Sequence, residues 1–302
     1  MGVDAAGVPP TVAVVSPGAM GGAVAAAYAA GGARVVTTVE GRSGRTRRLA
    51  ERPGVELLAS LDDVVREADV VLSIVPPEQA PAVVLDVAAA AERTGARPLV
   101  ADLNALAPTT ALELERRLAV SGLDLVDGSI SGGPPRAGGS TRLYLSGSRA
   151  GEVALLPAPG LEPRVVGAVV GIASAVKMST ASVYKGRTAL LAHALLSARA
   201  NGVLPHVLED LREGLGVDPD DLAPQLARAA TKAHRYVGEM REIAATQEAA
   251  GLPRALFDGL AEVYAALAET PLGGAAPESV QPEASLDEVL SRLEPARVTP
   301  RG

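Results

Sequence analysis

The 302-residue chain has no cysteine, no tryptophan and a single phenylalanine. Without cysteine there is no disulfide framework, no thiolate nucleophile and no cysteine-ligated zinc. So few aromatics leave the core to Val, Leu, Ala and Ile, which suits parallel strands covered by Ala-rich helices better than an aromatic-filled sandwich. Positive charge is short as well: 28 Lys and Arg against 35 Asp and Glu give a net charge of −7. That balance argues against a nucleic-acid or anionic-membrane partner. Apolar runs are broken by Gly, Pro or charge before they reach membrane-spanning length. The opening "MGVDAAGVPP" lacks the charged start and long apolar stretch of a signal peptide. The expectation is a cytoplasmic enzyme or binding protein.

What is present alternates. "TVAVV" (11–15), "ARVVTTVE" (33–40), "ADVVLSIVPP" (68–77), "PLVADLN" (98–104) and "LDLVDGSISGG" (123–133) read as buried strands. Helical stretches separate them, which predicts an α/β doubly wound parallel sheet of the Rossmann type over residues 11–168. "TRLYLSG" and "PRVVG" form a smaller strand-rich patch at its end. From Gly171 the pattern becomes helical, so residues 169–270 read as an all-α domain. Residues 1–10 and the Pro-, Gly- and Glu-rich 271–302 read as disordered tails, the second with one marginal helical stretch at "SLDEVLSRL".

The first strand runs into "SPGAMGG". A dinucleotide turn needs glycines where backbone meets a pyrophosphate and where helix packs close to strand. Here Ser16, Gly18 and Gly21 occupy the three glycine positions, with Pro17, Ala19 and Met20 completing the loop. The second strand ends in "VEGRS". Gly41 takes the place of an acidic residue that would hold a ribose 2′-hydroxyl, and Arg42 and Ser43 suit a 2′-phosphate by charge and hydroxyl. NADP is therefore expected over NAD, although Glu40 can still turn inward.

Ligands of doubly wound sheets lie beyond the carboxyl ends of strands. Val75 and Pro76 in "VPP" are placed to wall the cofactor, and Asn104 in "LNALAP" to hydrogen-bond near its nicotinamide. "DGSISGGPP" offers the hydroxyls of Ser129 and Ser131 and the backbone N–H groups of Gly132 and Gly133, a set able to hold a substrate carboxylate. It reads equally well as a plain Gly/Pro turn. In "GIASAVKMSTASVYKG" a lone lysine, Lys177, interrupts a small apolar helix; by itself it reads as a surface lysine with a packed stem.

Taken in order, "SPGAMG", "GRS", "DGSISGG" and "GIASAVKMS" resemble the β-hydroxyacid dehydrogenase superfamily, which includes 6-phosphogluconate dehydrogenase, 3-hydroxyisobutyrate dehydrogenase and the imine reductases. "LSIVPPEQA" and "KAHRYVGEMREIAATQEAAGLP" look like a branch whose C-terminal domain has no assigned function. The resemblance spans about residues 11–270. It implies a homodimer through the all-α domain and a lysine general acid/base at Lys177, with Ser131 as the serine of the S-G-G substrate loop. The family's G-x-G-x-x-x-K-x-x-x-N motif is altered here to Ala173 and Ala181. The activity implied is hydride transfer between NADPH and a small hydroxy acid or its keto or aldehyde counterpart. An imine reductase and a non-catalytic NADP-binding sensor are the alternatives. Tyr184 is a reserve proton donor. Lys185 and Arg235 are candidate substrate contacts, and Arg235 shares the helical cluster of His234, Glu239 and Glu242, which reads equally as i,i+4 charge pairing.

Overall fold

A buried strand, β1 (Thr11–Val15), leads straight into helix α1 (Ala19–Ala30), and this strand–turn–helix opens the fold. The structure, a computed structural model, describes residues 9–15, 17–41, 44–276 and 284–294. The chain folds as two units, a first up to Met178 and a second from Ser179. The expected boundary at 168/169 is thus displaced into a helix.

The first unit continues with β2 (Arg34–Thr38), α2 (Gly44–Ala50), β3 (Val55–Leu58), α3 (Leu61–Glu67), β4 (Val70–Ser73), α4 (Ala80–Thr94), β5 (Leu99–Asp102), α5 (Pro108–Val120) and β6 (Leu125–Ser131). Strands β7 (Thr141–Ser146) and β8 (Leu161–Gly167) follow, with α6 (Ala150–Ala154) between them. The eight strands lie in the order β3-β2-β1-β4-β5-β6-β7-β8. β1, β4, β5 and β6 are almost wholly buried, as strands covered on both faces must be, and the first three are built mostly of Val, Leu and Ala.

The sheet departs from an all-parallel one at a single ladder, where β7 runs antiparallel to β6. The chain between them has no helix to carry it back across the sheet, and a parallel return needs such a crossover. Between β7 and β8, α6 supplies one and the pair is parallel. The sheet is therefore mixed, with the predicted strand-rich patch joined to it as two further strands.

The second unit holds the later part of α7 (Ile172–Ala200), then α8 (Leu204–Leu215), α9 (Pro219–Ala230), α10 (Ala233–Ala249), α11 (Ala255–Ala268) and α12 (Leu286–Leu293). Leu195, Leu222, Met240, Ile243 and Tyr264 are among its buried side chains. α12 corrects the expectation of a disordered 271–302. Ser285 and Glu288 form a reciprocal capping box, Val289, Leu290 and Leu293 are buried, and Arg199 pairs with both Asp287 and Glu294. Eight residues suffice because the amphipathic face is packed rather than left in water. Among the described residues, no helix is long and apolar enough to cross a membrane.

Candidate active site

The start of α7 is tied to β6 by a buried network. Asp127 accepts hydrogen bonds from the backbone N–H of Gly171 (2.9 Å) and Ser174 (3.0 Å) and from the hydroxyls of Ser174 (2.6 Å) and Ser146 (2.9 Å). Ser146 in turn accepts from the Ala173 N–H at 3.0 Å. A carboxylate here satisfies donors that a helix leaves open in its first turn and lies at the positive end of its dipole. Gly171, at φ +99°, makes the turn into α7 in a conformation that side chains rarely adopt.

Two further bonds extend this junction. Ser129, fully buried, donates its hydroxyl to the Ala173 carbonyl at 3.1 Å. That corrects its assignment as a substrate contact: it faces the interior and belongs to the strand–helix seam. Lys177, half-buried, donates from Nζ to the Ile130 carbonyl at 2.8 Å. Burial lowers its pKa from the ordinary lysine value, because desolvation disfavours the ammonium. The peptide it contacts is the one leading into Ser131, the half-buried last residue of β6. Gly132 follows at φ +133°, and the Gly133 carbonyl is held by the Thr141 hydroxyl at 2.9 Å. Within the first unit the lysine thus meets the strand end that continues into Ser131, Gly132 and Gly133.

At the neighbouring strand ends, Asn104 ties two loops together. Its Oδ1 accepts from the Val75 N–H at 2.6 Å, while Nδ2 donates to Ser73 Oγ at 3.0 Å and Asp102 Oδ2 at 2.7 Å. Both amide hydrogens are committed inside the protein. Asn104 thus shapes the loop that presents Val75 and Pro76, both half-buried, and has no amide donor left for a nicotinamide.

The turn before α1 fits a dinucleotide in its open backbone. Gly18 is the N-cap of α1, which has no side-chain cap and no acidic residue in its first turn. A Cβ added to Gly18 would meet nothing within 4 Å, so the start of the helix is open on that side. Pro17 and Gly21 are buried, whereas Ala19 is exposed and Met20 half-buried. Beside it a hollow of about 160 Å³ is lined by Val15, Thr38, Glu40, Leu61, Val83 and Asp86. An uncapped helix start fits a pyrophosphate, and the hollow at the end of β2 fits a ribose. Ser16, Arg42 and Ser43 lie outside the described residues.

The second unit holds the remaining candidates. Tyr184 is 70% exposed, and His234 and Arg235 are exposed on α10. Lys185 is mostly buried and ion-paired with buried Glu239, its Nζ 4.2 Å from the centre of the Tyr236 ring. Its carbonyl accepts from the Tyr264 hydroxyl at 2.8 Å. This corrects two readings: Lys185 is engaged within its own unit, and Glu239 pairs with α7 rather than along α10.

Fold, turn and strand-end loops define a dinucleotide-binding Rossmann protein followed by a helical unit. The model of the NAD binding domain of 6-phosphogluconate dehydrogenase matches residues 11–156, and a domain of unknown function (DUF1932) matches residues 198–267. The chain belongs to the 6-phosphogluconate dehydrogenase-like family that joins these two domains. An uncharacterized 28.5 kDa protein of Methanothermus fervidus is 30% identical over 184 residues, 60% of this chain and 68% of that protein. A conserved hypothetical protein from Sinorhizobium meliloti 1021 shares 27% identity, covering 94% of this chain and 95% of its own, at a TM-score of 0.63. The Mycobacterium tuberculosis 3-hydroxyisobutyrate dehydrogenase, solved with L-serine, shares the fold at 20% identity, covering 95% and 99% of the two chains, with a TM-score of 0.65.

Proposed function

We propose that the chain is an NADP(H)-dependent oxidoreductase that interconverts a small hydroxy acid and its keto or aldehyde counterpart, with Lys177 as general acid and base. The observation that carries this reading is the desolvated Lys177 ammonium, bonded to the peptide leading into Ser131. Bound nicotinamide supplies or takes up the hydride. In reduction, Lys177 gives a proton to the carbonyl oxygen as its carbon gains the hydride, leaving a hydroxyl and a neutral amine. In oxidation, the neutral amine accepts the hydroxyl proton as the hydride leaves. A lysine pKa lowered by burial brings both forms closer to working pH. Ser131 and the N–H groups of Gly132 and Gly133 hold the substrate carboxylate.

The 2′-phosphate is read by Arg42 and Ser43 after Gly41, while Glu40 in the adjoining hollow is the residue suited to a bare 2′-hydroxyl. We also propose a homodimer through the all-α unit, which exposes Leu190, Leu252 and Leu256. Light scattering that returns a monomer removes it.

Incubating the purified chain with NADPH and a panel of keto acids, aldehydes and cyclic imines tests the activity. Turnover of a carbonyl substrate, abolished in Lys177→Ala, supports the reading. Imine-only turnover or none overturns it. Tighter binding of NADH than NADPH overturns the cofactor assignment, which predicts a loss of about tenfold or more in NADPH affinity alone for Arg42→Ala.

A further inference from the structure

The helical unit has a groove of its own, about 400 Å³, lined among others by Tyr184, Lys185, Arg187, Thr188, Arg228 and Lys232. Four of its lining residues are cationic and none is Asp or Glu. Lys185 has Glu239 as a counter-ion, but among the described residues Arg187, Arg228 and Lys232 form no ion pair. Elsewhere in this unit Arg199 and Arg254 each hold two carboxylates. In a chain of net charge −7, a groove walled by cations and free of carboxylates stands against the general balance.

The arrangement costs stability. Arg228 on α9 and Lys232, the N-cap of α10, flank the turn between the two helices, and the charge of Arg228 disfavours the Lys232 ammonium. Lys232 is half-buried, and burial, with the charges of Arg235 and Arg228 behind it, lowers its pKa. Uncompensated repulsion of this kind is characteristic of places where function overrides folding. The missing counter-charge has an obvious external form. Guanidinium groups offer paired donors in a plane and match a phosphate or carboxylate bidentately, and the exposed Tyr184 phenol adds a donor at the rim.

We propose that this groove binds a compact small polyanion, a phosphate ester or a di- or tricarboxylate, through Arg187, Arg228 and Lys232. The inference rests on the helical unit alone and stands or falls apart from the redox reading, since binding is measured without nicotinamide or turnover.

The full-length chain is titrated calorimetrically with inorganic pyrophosphate and, separately, with citrate, at constant ionic strength set by sodium chloride. Saturable binding is expected for at least one of them. Arg187→Ala and Arg228→Ala, both at exposed side chains, each weaken it about tenfold or more, while Arg212→Ala on α8 leaves it unchanged. Preference for pyrophosphate assigns the phosphate class, preference for citrate the carboxylate class. Absence of saturable binding overturns the proposal. So does binding that survives the Arg187→Ala/Arg228→Ala double substitution, because the anion then sits elsewhere, the α1 turn included.

Discussion

Asp102 and Asp127 are register partners on β5 and β6, and both carboxyl groups are buried. Their surroundings differ sharply. Asp127 collects four hydrogen bonds, two of them from backbone at the head of α7. Asp102 is bonded by the Asn104 backbone and side chain, and burial pushes its pKa up to about 7 against those bonds, with a smaller push from the charge of Asp127.

Stability should therefore depend on pH through Asp102. The folded protein holds this proton up to about pH 7, whereas the unfolded chain releases it near the ordinary value of 3.8. The contribution is fully present below that value and is lost as pH rises through about 7, on the order of a few kcal/mol in all. Urea denaturation of wild type and Asp102→Asn between pH 4.5 and 7.5 checks this. The variant should show a flatter dependence; an identical slope removes Asp102 as the source.

Replacing Asp127 by Ala orphans two backbone N–H groups and two hydroxyls inside the first unit. We expect a loss of about 3–5 kcal/mol in chemical denaturation, with Asp127→Asn milder because one acceptor remains. A cost under about 1 kcal/mol for the alanine variant would mean that water takes over the cap.

Lys177→Arg keeps the positive charge but cannot exchange its proton at working pH. Turnover should fall about 10²–10⁴-fold while NADPH still binds. In wild type, carbonyl reduction should require the ammonium and decline as pH rises through a pKa below the ordinary 10.5. An arginine variant with normal turnover would leave the lysine an orienting role only.

The Lys185–Glu239 pair is buried, with side chains 17% and 8% exposed. Lys185→Met and Glu239→Leu each strand a charge and should cost about 3–5 kcal/mol, while the double substitution should cost less than either. A double-mutant cycle in guanidinium reads the coupling directly; additive losses would deny it.

The strand pattern was legible because short, Val-rich apolar runs such as "TVAVV" and "ADVVLSIVPP", bounded by Gly and Pro and alternating with helical stretches, suit buried parallel strands. Lys177 stood out for the same reason in reverse, as a charge in an Ala-rich helix. Local pattern could not show what Asp127, Ser129 or Asn104 do. Asp127 meets Ser174 across 47 positions and Asn104 meets Ser73 across 31, separations at which spacing carries no signal. Lys185 misled for a related reason. Its partner, Glu239, reads within its own segment as one of a run of helix-surface charges. α12 was undervalued because its surroundings are Pro- and Gly-rich, although "SLDE" carries the serine–glutamate capping signature at its start.

The Asp127 cap joins a strand to a helix that begins more than forty residues later, so that helix start is held by a long-range contact rather than by its own turn alone. The amide protons of Gly171 and Ser174 should accordingly exchange with deuterium only on opening of the whole first unit, not by local fraying at the helix end. If so, the surroundings of Lys177 are kept or lost together with the sheet that holds the cap.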